Sequence, residues 1–199
     1  DLKQTCMEGL YRDRYNNRIY FDKTLSDKIK ITFRGSNNVL RIGAEVSAGL
    51  LRVDFGSDGT CEVGTGTEFH SALISASGGR VEIGKDSLFS NGISIRCHDG
   101  HHIFLADTHR RLNYPRDVRI GNHVWVGAGA QLLPGFLIGD NSIIGAGSVS
   151  SSVFGSGLVI GGNPARVIRE GVLWAKDDTN LRQHDTFGEC MDKRAEKYL

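Results

Sequence analysis

An aliphatic residue returns every six positions in this chain, at Ile120, Val126, Leu132, Ile138 and Ile144, and in four of the five cases glycine follows at once. Four positions after each aliphatic stands a residue that is small in most units: Val124, Ala130, Ser142 and Ser148, with Phe136 the exception. A helical stripe recurs at three or four residues and a strand face at two, so neither element alone accounts for a period of six. A parallel β-helix does. Each six-residue unit is a short strand and a corner, its first and fifth residues point into the coil, and three units close a triangular turn of roughly 18 residues. Stacked turns bury a continuous apolar column. The corners call for φ > 0 or for tight turning, which Gly, Asn and Asp tolerate, and Asn122, Asp140 and Asn141 stand between the expected strands.

The same period runs earlier through Ile83, Phe89 and Ile95, and more loosely from Ile42 and Gly43 to Val63. From Ile95 to Ile120 the count is 25, one more than four units, and CHDGHHIFLADTHRRLNYPRD has no repeat character. A loop is therefore expected over 98–117. After Ser148 the period decays, and NPARVIREGVLW reads as a last strand and a closing element. The expected organisation is all-β: an N-terminal cap segment over 1–37, a parallel β-helix over 38–174, and a charged tail over 175–199 compatible with a short helix.

At 199 residues, 39% of them hydrophobic, the chain fits one domain with a core of its own, and its 26 glycines suit the corners. A net charge of +1 gives no electrostatic case for nucleic acid or an acidic membrane. No apolar run reaches the about 18 residues that a membrane span needs, and DLKQTCMEGLYRDRYNN has no apolar signal core, so a cytoplasmic chain without membrane insertion is expected. Cys6, Cys61, Cys97 and Cys190 lack C-x-x-C spacing, which points to neither a zinc site nor a disulfide framework.

A rigid scaffold that extrudes one loop offers that loop as the place for chemistry. This one holds His98, His101, His102 and His109, with Asp99 and Asp107 nearby. Loop histidines are either solvated polar residues or a general base, since neutral imidazole accepts a hydroxyl proton near neutral pH. His101 falls six residues after Ile95, at the loop's root beside the coil. Trp125, between inward Val124 and Val126, must face outward, either to pack on a neighbouring subunit or to wall a ligand. Arg166 and Arg169 follow VIGGNP at a spacing of three, as solvated surface or as holders of phosphates. Cys97 has a nucleophilic reading and a buried one, and its alternation with Ile95 favours burial.

The segments DGHHI, VRIGNHVWVGAGA, IGDNSIIGAGSV and GGNPARVIREGVLW, in that order, resemble the hexapeptide-repeat acetyltransferases, a left-handed β-helix superfamily. The resemblance is to the branch acting on capsular and O-antigen polysaccharides, and also to galactoside and maltose acetyltransferases. It implies a left-handed coil, acetyl-CoA as co-substrate without a metal, a saccharide acceptor and a homotrimer with its donor tunnel between adjacent coils. His101 matches the family's catalytic histidine in D-G-H-x-I, because Asp99, Gly100 and Ile103 complete the motif. Trp125 matches the tryptophan that stands with it at the reaction centre and lines the donor tunnel. Coenzyme A contacts carry over to Ala128, Ala146, Ser151, Ser152, Arg166 and Arg169. The family's usual V-T-K-D is replaced here by Ser150, Ser151, Ser152 and Val153, which removes a lysine that would contact phosphate near Ser152.

The activity so implied is O-acetyl transfer to a hydroxyl of a bacterial surface polysaccharide, with His101 taking the hydroxyl proton and a backbone N–H steadying the oxyanion. Arg110, Arg111 and Tyr114 would help shape the sugar site and suit an acidic acceptor such as sialic acid. Two other classes use the same coil. A metal-dependent lyase of the gamma carbonic anhydrase type needs three histidines around zinc, and those ligands come from different repeats and adjoining subunits. A non-catalytic assembly or ice-binding coil needs the repeat alone and leaves the loop histidines, outward tryptophan and arginine pair without a purpose.

Overall fold

The computed structural model describes residues 10–22 and 25–176, and every regular element in it is a strand. Before the extruded loop come β1 (Leu10–Arg12), β2 (Arg18–Phe21), β3 (Ile29–Phe33), β4 (Val39–Ile42), β5 (Ser47–Phe55), β6 (Thr60–Val63), β7 (Glu68–Ala76), β8 (Arg80–Ile83), β9 (Leu88–Phe89) and β10 (Ile93–Arg96). After it come β11 (Val118–Ile120), β12 (Trp125–Val126), β13 (Gln131–Leu132), β14 (Leu137–Ile138), β15 (Ile143–Ile144), β16 (Val149–Ser150), β17 (Leu158–Gly162) and β18 (Ala165–Glu170).

These strands stack as the three faces of a parallel β-helix. The first face runs β2-β4-β6-β8-β11-β14, with β1 antiparallel at its outer edge. The long β5 and β7 turn a corner within one strand. The start of β7 pairs with β9, opening the second face of β9, β12, β15 and β17, while its end pairs with β10 on the third face of β3, β5, β7, β10, β13 and β16. Residues 18 apart meet in register after the loop, as in Ile120↔Ile138, Val126↔Ile144 and Leu132↔Ser150. Every position predicted to face inward between Ile120 and Ser148 is buried, including Phe136 and the small Ala130, Ser142 and Ser148.

Parallel pairing begins with β2 on β4, so the coil reaches back to Arg18, into the segment expected as a cap over 1–37. The early turns are closed by an asparagine ladder without hexapeptide character. Asn38 donates from its backbone N and from Nδ2 to Asn17 Oδ1 at 3.0 and 2.9 Å, and Asn38 Oδ1 accepts from Gly59 N at 2.8 Å. At the other end β18 folds back antiparallel on β17, and the chain continues to Trp174, which is buried, and Lys176, whose Nζ pairs with Glu68 Oε1 at 3.1 Å. Most of the expected tail, Cys6 and Cys190 lie outside the described residues.

The glycines after the aliphatics serve a different purpose from the one expected. Gly84, Gly121 and Gly127 do not have positive φ. Instead the next coil lies against them: a Cβ on Gly84 would sit 2.7 Å from Asn122 N, and one on Gly127 would sit 2.6 Å from Ala146 N. Left-handed backbone falls to polar corner residues, among them His123 (φ 52°) and Asn141 (φ 56°), and to glycines elsewhere in the units, such as Gly129 (φ 71°) and Gly147 (φ 68°). Asn122 and Asp140 are not left-handed but tie coils together, Asn122 N donating to Asp140 Oδ1 at 2.7 Å and Asn122 Oδ1 accepting from Lys85 N at 2.9 Å.

Candidate functional site

The loop leaves the corner between the third and first faces, after β10, and returns at β11. Its root is organised by two side chains. His98 is half-buried and fully engaged: Gly100 N donates to its Nδ1 at 3.1 Å, which leaves the proton on Nε2, 2.9 Å from Ser75 Oγ on β7. Asn113 spans the loop from its returning limb. Its Nδ2 donates to the His101 carbonyl at 2.7 Å and to Asp99 Oδ2 at 2.9 Å, and its Oδ1 accepts from Ile103 N at 2.7 Å. The DGHHI segment is therefore pinned at three points while the His101 ring stays exposed.

That ring borders a cleft of about 610 Å³ between the loop root and the ends of β3, β5 and β7, lined among others by Arg34, Asp54, Ser75, His98 and Arg111. His102 also lines it and meets Phe104 edge-on, with ring centroids 6.1 Å apart, whereas His109 stands farther along the loop with φ 52°. Arg111 stacks over Tyr114, its guanidinium carbon 4.8 Å from the ring centroid.

Burial, with the Arg96 guanidinium second, holds the His98 pKa below the ordinary histidine value. The unfolded chain then takes up a proton at His98 below about pH 6.5 while the folded chain resists it. This group leaves stability unaffected above that pH and lowers it as the pH falls toward the folded value. Urea denaturation between about pH 7.5 and 5.5 should show a larger loss for the native chain than for His98→Gln, and equal losses would contradict the assignment.

The other expected residues lie away from that cleft, on several parts of the coil. Trp125 faces outward on the second face, 41% exposed, so the prediction from alternation holds. Behind it lies Trp174, with ring centroids 6.1 Å apart; Trp174 stacks on His123 at 4.1 Å and donates from Nε1 to the His123 carbonyl at 2.8 Å. Ala128 and Ala146 are exposed on one corner, one coil apart, and Gly147 N donates to the Ala128 carbonyl at 2.7 Å. Ser151 and Ser152 are exposed after β16 on the third face.

Arg166 and Arg169 lie on β18, where a spacing of three would send them to opposite sides of a regular strand. An irregularity in the pairing at Val159/Ile160 makes Ile168 an extra residue, so Arg166 opposes Gly161 and Arg169 opposes Val159. Gly161 and Val159 are two apart and point the same way, and so do their partners.

One chain thus brings His98, His101, His102 and Arg111 together at one corner, while Trp125, on another face, is not among the residues lining that cleft. The sequence reading missed Asn113, Asp54 and Trp174. Asn113 and Asp54 lie far along the chain from the histidine they accompany, and Trp174 was read as part of a closing element without a contact. Cys97 is fully buried, its thiol pKa raised by that burial, as the alternation with Ile95 implied. Among the described residues no three His, Cys, Asp or Glu side chains converge as metal ligands would, and no helix is long and apolar enough to cross a membrane.

Residues 117–149 match the bacterial transferase hexapeptide model, described as six repeats. The chain is 33% identical to the polysialic acid O-acetyltransferase of Neisseria meningitidis over 60% of its own length and 57% of the relative's. It is 39% identical to the galactoside O-acetyltransferase of Escherichia coli K12 over 45% of its length and 44% of that protein's. The chain therefore spans less than two thirds of either relative. Among solved structures, the polySia-specific acetyltransferase NeuO superposes with a TM-score of 0.65 at 26% identity, covering 85% of this chain and 86% of that one.

Proposed function

We propose that this chain, whose residues 117–149 match the hexapeptide model of bacterial transferases, is an acetyl-CoA-dependent O-acetyltransferase acting on a saccharide hydroxyl. One observation carries the reading: the loop root is pinned by Asn113 and His98, yet the His101 ring is exposed on the cleft and, among the described residues, has no hydrogen bond of its own. A group so positioned suits a general base.

Acetyl-CoA would supply the activated acyl group as a thioester. His101 would take the proton from the acceptor hydroxyl as its oxygen attacks the carbonyl, then return the proton to the thiolate as the C–S bond breaks. No acyl-enzyme is needed, and the buried, protonated Cys97 is unsuited to forming one. A backbone N–H beside the donor would steady the oxyanion.

The donor side in this reading is assembled from the expected residues that lie away from the cleft. Trp125 would flank the thioester, the corner alanines Ala128 and Ala146 would admit the pantetheine arm, Ser151 and Ser152 would add polar contacts, and Arg166 and Arg169 would hold phosphate. The shared side of the two arginines supports this assignment. Losing one charge-assisted contact costs roughly 1.5–3 kcal/mol, so Arg166→Gln and Arg169→Gln should each raise the acetyl-CoA KM about ten- to a hundredfold with little change in acceptor KM. An unchanged donor KM would remove them from the site.

Since His101 and Trp125 lie apart on one chain, the reading needs a second copy, and a homotrimer of the kind the family resemblance implies would supply it, with His101 of one chain meeting Trp125 of the next. The acceptor side is the cleft that Arg111 lines, with Arg110 next to it in sequence, and we read the acceptor as an acidic surface sugar, sialic acid or its polymer. The reaction is taken as cytoplasmic, where the thioester donor is available. Release of coenzyme A thiol from acetyl-CoA, measured over a panel of neutral and acidic saccharides, tests this reading. Acceptor-dependent release is expected, and release indifferent to every saccharide would count against it.

A further inference from the structure

Among the described residues, three buried side-chain polar atoms have no hydrogen-bond partner: Arg18 Nε, Asp54 Oδ1 and Arg111 Nε. Arg18 lies on the first face, but Asp54 and Arg111 both line the cleft beside His101. A buried donor or acceptor left unpaired gives up its hydration and receives nothing in return, so folded chains leave few of them. Two of opposite charge in one cleft, not paired with each other, are what a ligand carrying both kinds of group would complete.

Strand register places Asp54 on the cleft, and contacts within the loop hold Arg111 there. Asp54 stands in a row across the third face, in register with Thr32 and Ser75, and its neighbours Val53 and Phe55 are buried in the coil, which sets its side chain outward. Ser75, the next in that row, is the residue bonded to His98, so Asp54 is one coil away from the support of the DGHHI segment. Arg111 is held on three sides. Its residue bridges to Phe104, its Nη2 donates to the Asn113 carbonyl at 3.1 Å, and its guanidinium lies over Tyr114. The same Asn113 pins His101, which ties the position of the guanidinium to that of the proposed base.

We propose that Asp54 and Arg111 form the specificity pair of the acceptor side, Arg111 donating from Nε to the carboxylate of an acidic sugar and Asp54 accepting at Oδ1 from a hydroxyl or amide N–H of the same sugar unit. This rests on the reading of the cleft as the acceptor site. A neutral sugar offers donors to Asp54 and leaves Arg111 Nε unpaired. A ligand with acid groups alone pairs Arg111 and sets charge against Asp54. A sugar with a carboxylate and a nearby hydroxyl or amide answers both.

The test is calorimetric titration of the full chain with a sialic acid oligomer and with the same oligomer after its carboxylates are reduced to hydroxymethyl groups. The native chain should bind the intact oligomer about ten- to a hundredfold more tightly than the reduced one. Arg111→Gln should erase that preference by weakening the intact form alone, and Asp54→Ala should weaken both forms alike, because its partner survives reduction. Arg111→Lys, which keeps the charge but lacks Nε, should recover part of the preference. A native chain that binds neither oligomer, or both equally, overturns the proposal without recourse to any variant, as does an Arg111→Gln that weakens both forms alike. Binding with the expected pattern but no acetyl transfer would leave the pair standing and remove the acetyltransferase reading.

Discussion

His101→Ala should lower kcat by about 10² to 10⁴ while the chain stays folded, because a positioned general base contributes that much and nothing structural hangs on the ring. The loss equals roughly 3–5 kcal/mol of transition-state stabilisation. The loop around it is held by the His101 carbonyl and by Asn113, and alanine retains the carbonyl. The melting temperature and the acetyl-CoA KM should therefore stay close to native. His102→Ala is the control: that ring also borders the cleft but faces Phe104 edge-on, so its removal should cost far less. A His101→Ala chain with near-native kcat would move the base elsewhere.

The largest effect on stability is expected deep in the coil. Phe89 on β9 is fully buried between β7 and β12, its ring stacked on Phe69 at 4.6 Å with 24° between planes. Phe89→Ala removes the transfer energy of the ring and leaves a cavity that parallel coils, pinned above and below by backbone ladders, can close only in part. The cost should be about 3–5 kcal/mol, a large share of the 5–15 kcal/mol typical of a folded domain. The midpoint of urea unfolding reads it. A change equivalent to under about 1 kcal/mol would mean that the coil collapses around the gap far more readily than its packing suggests.

The inward residues were legible because alternation within a strand is local: Val126, Leu132, Ile138 and Ile144 could be placed from the period alone, and all but the corners followed. What joins one coil to the next was not legible in the same way. The glycines after the aliphatics were read as conformational residues, whereas Gly84 and Gly127 are small because the backbone of another coil lies against them, and that neighbour is set by stacking. The early turns escaped the period because Asn17 and Asn38 close them with side-chain amides in place of a hexapeptide corner. His101 stood out by its place at the loop root, but its support did not: Asn113 is 12 residues away across an irregular loop, and no periodicity links the two. The common side of Arg166 and Arg169 depends on one extra residue at Ile168, which a spacing count reads the wrong way. The separation of His101 from Trp125, by contrast, was implicit in the count of strands after the loop, since β11 occupies the first face and β12 the second.

The most direct test follows the acetyl group itself. With acetyl-CoA labelled in its acetyl carbons and an acidic oligosaccharide as acceptor, carbon NMR of the recovered sugar should reveal a labelled ester on a ring or side-chain hydroxyl, formed by the native chain and not by His101→Ala. Label recovered as free acetate, or an ester formed equally well by the His101→Ala chain, would contradict transfer catalysed from the loop root.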